Sequence, residues 1–343
     1  MPHTVAFAGS GAIGPIHVLA ARPFGVVPIA WASRTTATAK AKAAEFGGVV
    51  VAYSDLPAGA DTVVVASPPG RHLADTQRAL RGRANVVLEK PICTTLHDAD
   101  AIVALAAEHG QRVGYAENMA YAPVVQAMLA RVADMGPVKH IESRAIGSKP
   151  TYGSFMTDAW GGGALFDLGA HPLAVAVLLA GGSAVRSVSA RLTGGDGHNS
   201  DEHAEVGLMF ASGATAHVVA SWQGTGAPLW DAQVSNDWSV VRAEIMPEPG
   251  LEVNGEPVKI PAATTEPAAL EQFGYRGEWQ AFLADFAAGR TPLMSAAFGR
   301  TILEITCAAY FSAGKGGTEV PVPFTGSRNK SPLQLWRGAP SAG

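Results

Sequence analysis

The stretch Thr4-Val5-Ala6-Phe7-Ala8-Gly9-Ser10-Gly11-Ala12-Ile13-Gly14 decides the fold. A short apolar run ends in a glycine-rich turn, and an alanine-rich segment with helical potential follows over residues 16–22. The pattern is G-x-G-x-x-G, set between a strand and the start of a helix. Gly9 permits the tight turn, Gly11 lets backbone approach a pyrophosphate, and Gly14 permits close helix–strand packing. The phosphates would sit on the free N–H groups of the helix N-terminus, beside Ala12 and Ile13. The expectation is a dinucleotide site.

Working outward, apolar runs alternate with helical stretches. Strands are expected over 26–32, 49–52, 61–66, 85–88 and 112–115, and helices over 36–46, 71–80 and 95–109. The run Asp61-Thr62-Val63-Val64-Val65-Ala66 is apolar enough to be buried on both faces, as in a parallel sheet. Such alternation over the first third of the chain predicts a doubly wound parallel sheet. After residue 120 the rhythm changes. Strands over 138–146, 186–193, 203–210, 214–222, 230–234 and 239–245 predict a mostly antiparallel sheet. Asn254-Gly255 signals a hairpin between strands over 251–253 and 258–260. Residues 161–180 read as largely helical, and helices over 275–288 and 297–312 close the chain, with an extended arm after Val322. The expected fold is α/β followed by α+β, divided near residue 120.

The chain has 343 residues, of which 48% are hydrophobic, enough for two domains and a large core. No apolar run approaches the ~18 residues of a membrane span, and the N-terminus enters its first strand at once, without a signal-peptide pattern. Two cysteines, Cys93 and Cys307, make neither a disulfide framework nor a metal spacing. The net charge, 25 − 29 = −4, comes without a basic cluster, so neither nucleic acid nor a membrane is expected as a partner. A cytoplasmic setting follows as the expectation.

The end of the second strand selects the cofactor. An Asp or Glu there would hold a ribose 2′-hydroxyl. This chain has Ser33-Arg34, which suits a 2′-phosphate and favours NADP, with NAD the alternative. Ser67-Pro68-Pro69-Gly70-Arg71-His72 follows the fourth strand, which places Ser67, Pro68 and His72 near the cofactor crevice. Glu89-Lys90-Pro91 follows the fifth and aims a lysine at that crevice, where desolvation would lower its pKa. In Gly161-Gly162-Gly163-Ala164-Leu165-Phe166-Asp167-Leu168-Gly169-Ala170-His171, a helix would stack Asp167 on His171, the usual support for a general base. Pro172 either starts a new helix there or kinks a continuous one. His198, Asp201, Glu202 and His203 look like metal ligands but read better as a solvated loop, and no metal is expected. His217 fits one face of a strand.

Together these stretches resemble the glucose–fructose oxidoreductase / inositol dehydrogenase / rhizopine-catabolism (Gfo/Idh/MocA) family. Further anchors are residues 114–123, 278–286, Ser312-Ala313 and Gly316-Gly317. The resemblance implies that 1–120 is a Rossmann domain and that 121–343 is an open, mostly antiparallel sheet with helices on one face, for substrate binding and oligomerisation. It also implies that Lys90, Asp167 and His171 match the catalytic positions, with a cis Lys90–Pro91 bond. Ala174 stands where some members carry a further acid. Asn118 and Tyr121 stand where members place cofactor- or substrate-facing residues, and Asp158 and Trp160 are candidates for a sugar pocket. The cofactor set would comprise Gly9, Gly11, Ala12, Ile13, Gly14, Ser33, Arg34, Ser67, Pro68, His72, Glu89, Lys90 and Asn118. The activity implied is hydride transfer between NADP and a secondary alcohol or ketone of a sugar, polyol or glycoside. A homodimer or homotetramer would form through the open sheet face. The alternatives are a cofactor-retaining, redox-neutral cleavage of glycosides and, after it, a non-catalytic dinucleotide sensor.

Overall fold

The computed structural model describes residues 1–151, 157, 160–194 and 200–338. Asp158 and His198 lie outside the described residues. The first strands and helices alternate without interruption: β1 (His3–Ala8), α1 (Ile13–Ala21), β2 (Val26–Ala32), α2 (Thr36–Phe46), β3 (Val49–Val51), β4 (Thr62–Val65), α3 (His72–Arg81), β5 (Asn85–Glu89), α4 (Leu96–His109) and β6 (Val113–Ala116). Their strands form one parallel sheet in the order β3-β2-β1-β4-β5-β6. All four residues of β4 are buried, because helices cover both faces of a sheet built from crossover units. The order reverses between β1 and β4, where a crevice opens at the strand ends.

A short 3-10 turn, Asn118–Tyr121, leads to α5 (Pro123–Asp134) and β7 (His140–Ile146). Then come α6 (Ala164–Asp167), α7 (Ala170–Leu179), β8 (Val185–Gly194), β9 (Asp201–Phe210), β10 (Thr215–Ser221), β11 (Leu229–Ser235), β12 (Val240–Met246), β13 (Gly250–Val253) and β14 (Glu256–Pro257). The chain ends with α8 (Ala268–Gln272), α9 (Tyr275–Ala287), α10 (Ala296–Gly314), β15 (Val320–Pro321) and α11 (Pro332–Trp336). Among the described residues the second sheet runs β14-β13-β12-β11-β7-β10-β9-β8-β15, antiparallel except where β7 lies parallel to β10. Burial alternates along β7, with Ile141, Ser143 and Ala145 turned inward. Helix α7 is apolar nearly all round and packs on that inner face.

Three expectations are corrected. The 161–180 helix is two helices, broken at Leu168-Gly169, and Pro172 falls in the first turn of α7, where its missing N–H costs nothing. The Asn254-Gly255 hairpin forms, but its second strand is Glu256–Pro257. Val258 N–H still donates to Leu251, and the chain leaves there because β13 begins at Gly250 and offers no further partner. The tail after Val322 packs back onto the body, yet it ends in α11, capped by Ser331, and not in an extended arm.

The parallel sheet carries its own helices on both faces. On the face of α1 and α2, Phe7 stacks on Trp31 with centroids 4.1 Å apart, and Trp279, Phe282 and Phe286 of α9 and Met294 complete the cluster that Val18 and Ala39 begin. Cys93 and Cys307 are both buried free thiols.

Candidate active site

The glycine turn has the geometry that a pyrophosphate needs. Gly9 has φ +115°, and a Cβ there would lie 2.4 Å from the Ala66 carbonyl oxygen. A Cβ on Gly14 would press on Trp31 at 3.2 Å, whereas one on Gly11 would meet nothing within 4 Å. Gly11 therefore presents open backbone beside the N-terminus of α1, which fits a bound dinucleotide phosphate. Ala12 is exposed and Ile13 half-buried at that turn. Thr38 of α2 joins Ser10 of the turn, 2.7 Å away, to Ser33 at the end of β2, 3.2 Å away. Arg34 next to it is exposed.

The loop after β4 is locked from inside. Ser67 Oγ donates to Asp75 at 2.8 Å. His72 is buried, with Nε2 2.7 Å from the Ser67 carbonyl and Nδ1 3.1 Å from that of Ile92. Burial pulls its pKa down, against those carbonyls and the nearby acids Glu89 and Asp75. The expectation of His72 as a cofactor contact gives way to that of an internal tie, because both ring nitrogens are engaged by backbone. Pro68 lies half-buried in the same loop. Asn118 is likewise turned inward, its Nδ2 donating to the Phe273 carbonyl at 2.7 Å.

Lys90 follows β5, and the Lys90–Pro91 peptide is cis. Its Nζ donates to Asp167 Oδ1 at 2.8 Å and to the Asp167 carbonyl at 3.0 Å. Burial opposes the ammonium charge, but Asp167, Glu89 and Glu117 outweigh it and raise the Lys90 pKa above its ordinary value. The expected lowering is thus reversed: carboxylates surround the amine.

His171 makes the second correction. The break at Leu168-Gly169 takes Asp167 and His171 off a common helical face. His171 Nδ1 lies 2.6 Å from Glu117 Oε1, while Asp167 serves Lys90. Glu117, fully buried just after β6, carried a signal in the sequence, since acids at carboxyl strand ends face the crevice. The His171 ring lies 5.0 Å from that of Trp230 on β11, above a small cavity also lined by Met119, Val175 and Ile245. Tyr121 packs edge-on against Phe282, its hydroxyl pKa pushed up by burial, and Trp160 is half-buried against the core.

The acid–histidine cluster around residue 201 is not a solvated loop. Asp201 is fully buried at the start of β9 and accepts from Gly163 N–H at 3.0 Å, Leu165 N–H at 2.8 Å and the Tyr310 hydroxyl. It anchors the first turn of α6, the helix that carries Asp167. A Cβ on Gly163 would lie 2.1 Å from the Asp201 carbonyl oxygen, which explains the glycine. Glu202 pairs with Lys149, and His203 lies 3.7 Å from Glu205. Among the described residues no cluster of acids, histidines and cysteines could hold a metal ion.

Comparison with known proteins agrees with this architecture. Residues 3–117 match the sequence model of the GFO_IDH_MocA oxidoreductase family, NAD-binding Rossmann fold, and residues 125–256 match the GFO/IDH/MocA C-terminal domain. A dTDP-3,4-didehydro-2,6-dideoxy-alpha-D-glucose 3-reductase of Streptomyces violaceoruber is 34% identical over 164 residues, 45% of this chain and 47% of that protein. The D-glucoside 3-dehydrogenase of Escherichia coli (strain K12) is 31% identical over 135 residues, 38% of each chain. These matches span less than half the length of either relative. The crystal structure of GenD2 from gentamicin A biosynthesis in complex with NAD superposes with a TM-score of 0.83 at 24% identity, covering 94% of this chain and 96% of that one, and shows the same fold. Matched in order by both halves of the family, the chain belongs to the Gfo/Idh/MocA oxidoreductases, with an NAD-binding Rossmann fold.

Proposed function

We propose that the protein is an NADP-dependent oxidoreductase acting on a secondary alcohol, or the matching ketone, of a sugar, polyol or glycoside. The observation that carries this reading is the pair of contacts at the crevice, the ion pair of Lys90 with Asp167 and the hydrogen bond of His171 with Glu117. Nicotinamide, when bound, supplies the hydride chemistry. The chain supplies position and charge. A carboxylate on Nδ1 favours the tautomer with its proton there, which leaves the Nε2 lone pair as a general base for the hydroxyl proton. Lys90, its charge stabilised by three carboxylates, is a poor base and a good partner for developing alkoxide. Its Nζ spends two donors on Asp167 and has a third for substrate. Trp230, beside His171, would supply an aromatic face suited to a sugar ring, whereas Tyr121 packs on Phe282.

Gly9, Gly11, Ala12, Ile13 and Gly14 would hold the pyrophosphate. Ser33 and Arg34 would take the 2′-phosphate, since no acid occupies the end of β2. The polar outer face of the second sheet, where Glu142 lies between His217 and Gln233, would make the homo-oligomer contacts. A panel of sugars, cyclitols and glycosides with NADP and NAD, followed by reduced-nicotinamide absorbance, tests the whole reading. Arg34→Ala should raise KM for NADP far more than for NAD; equal effects would remove the NADP assignment. Asp167→Asn should lower the Lys90 pKa, so any alkaline limb of turnover should move to lower pH. A limb that stays in place would detach Lys90 from that ionisation.

A further inference from the structure

Glu89 does not end in the open crevice. Its Oε1 lies 2.8 Å from Nε2 of His17, and its Oε2 accepts the Lys90 backbone N–H at 3.1 Å. His17 is fully buried on α1, one turn beyond the glycine loop. Its other nitrogen, Nδ1, accepts from the Trp279 indole N–H of α9 at 3.1 Å. An indole N–H only donates. Nδ1 therefore holds a lone pair, and the ring proton sits on Nε2, where it donates to Glu89. Burial works against the Glu89 charge, but the His17 contact, with Lys90 and His72 nearby, brings its pKa below the usual carboxylate value. A directional chain thus runs from Trp279 through His17 and Glu89 to the Lys90 amide. It joins α9, α1 and the end of β5.

We infer that His17 is a positioning residue for Lys90, fixing its backbone through Glu89 and so tying the seat of the amine to the helix that follows the dinucleotide turn. This rests on Lys90 serving substrate as proposed above. Without the His17 N–H, Glu89 Oε1 becomes a buried oxygen without that donor. The carboxylate then turns or takes up a proton, and the Lys90 amide loses its acceptor. The groups facing the pair are Lys90 and His72 around Glu89, the Tyr275 ring 6.5 Å from His17, and Glu278 beside Trp279 on α9.

The test compares His17→Leu, His17→Gln and Trp279→Phe with the wild type. It measures hydrogen exchange at the Lys90 amide, NADP affinity, and kcat and KM on a turned-over substrate. In His17→Leu the Lys90 amide should exchange at least about tenfold faster. There kcat should fall roughly 10–100-fold, as a small misplacement costs, while NADP affinity changes far less. His17→Gln, whose amide N–H can donate to Glu89, should restore both. If His17→Leu does not fold, Trp279→Phe decides: loss of the indole donor should let the ring proton move from Nε2 to Nδ1, so Lys90 exchange should speed up and the imidazole nitrogen shifts should change tautomer. Wild-type exchange at Lys90 in these variants, or a Gln variant as impaired as Leu, would overturn the inference. If the wild type turns over no sugar, polyol or glycoside, the proposed activity fails, while the exchange measurement still decides the role of His17.

Discussion

Removing the charge from Glu117 should be felt first at His171. Its carboxylate oxygen is 2.6 Å from Nδ1, in a place without solvent. Glu117→Gln, which can stabilise the other tautomer, should cut turnover roughly 10²–10⁴-fold, and His171→Ala by a similar factor, with the glycine turn still binding cofactor. A Glu117→Gln enzyme with wild-type kcat would leave His171 without a role for its partner. A second buried acid makes a different prediction. Glu278 is fully buried, and among the described residues neither carboxyl oxygen has a hydrogen-bond partner. Burial, then the charges of Glu89 and Glu117, push its pKa well up. The folded protein thus keeps a proton that the unfolded chain releases near the ordinary Glu pKa of about 4.3. Stability should fall as pH rises above that value, by up to about 1.4 kcal/mol per pH unit, until the folded pKa is passed. Glu278→Gln should match the wild type near pH 4 and become progressively more stable towards pH 8. Equal denaturation midpoints at both pH values would show that Glu278 is solvated or paired in solution.

Helix α6 is only four residues long, too short to hold itself. Asp201 replaces the missing helical partners of the Gly163 and Leu165 N–H groups, and Tyr310 of α10 braces it. Asp201→Ala takes the side-chain acceptor from the buried Leu165 N–H and leaves the Gly163 N–H only the Tyr310 hydroxyl, 2.9 Å away, at about 1.5–3 kcal/mol for each charge-assisted bond lost. The melting temperature should drop and kcat should fall with it, since α6 carries Asp167. A variant that loses stability but keeps kcat would mean that Lys90 alone holds Asp167 in place. Elements of this size mark the limit of what the sequence reveals. The parallel sheet was legible from the alternation of apolar runs and helices, while its strand order was not. Lys90 was legible from its place after the fifth strand, and Asp167 and His171 from their spacing of four and the family resemblance. The exchange of partners was not. It depends on a helix break at Gly169 and on Glu117, 54 residues from His171, and helical periodicity speaks only to near neighbours. His17 and Asp201 were hidden for the same reason: their partners lie 72 and 36–109 residues away.

The two sheets are joined through more than the connection near residue 120. Tyr115 N–H donates to the Met294 carbonyl at 2.7 Å, and Arg112 Nε donates to that of Gly289 at 2.8 Å. Asp100 of α4 meets Arg300 of α10 and Arg328 of the tail. Trp279 and Phe282, both with no exposed surface, close the apolar face that begins with Val5 and Phe7. A fragment of residues 1–120 lacks that cover. It should keep much of its secondary structure in far-ultraviolet circular dichroism yet bind a hydrophobic dye and melt without a sharp transition, as a loosely packed state does. A cooperative melt and no dye binding would show that the first sheet is self-sufficient. The same arrangement sets an order of events in biosynthesis. A ribosome delivers Phe7 and Trp31 early, but the residues that cap them, 279–294, emerge only near the end of translation. At about 5–20 residues per second, the nascent sheet waits of the order of ten seconds or more with the flank of α1 and α2 only partly covered. During that interval the growing chain is a client for whatever holds apolar surfaces apart, and slowing translation after residue 120 should raise the fraction that such holders capture.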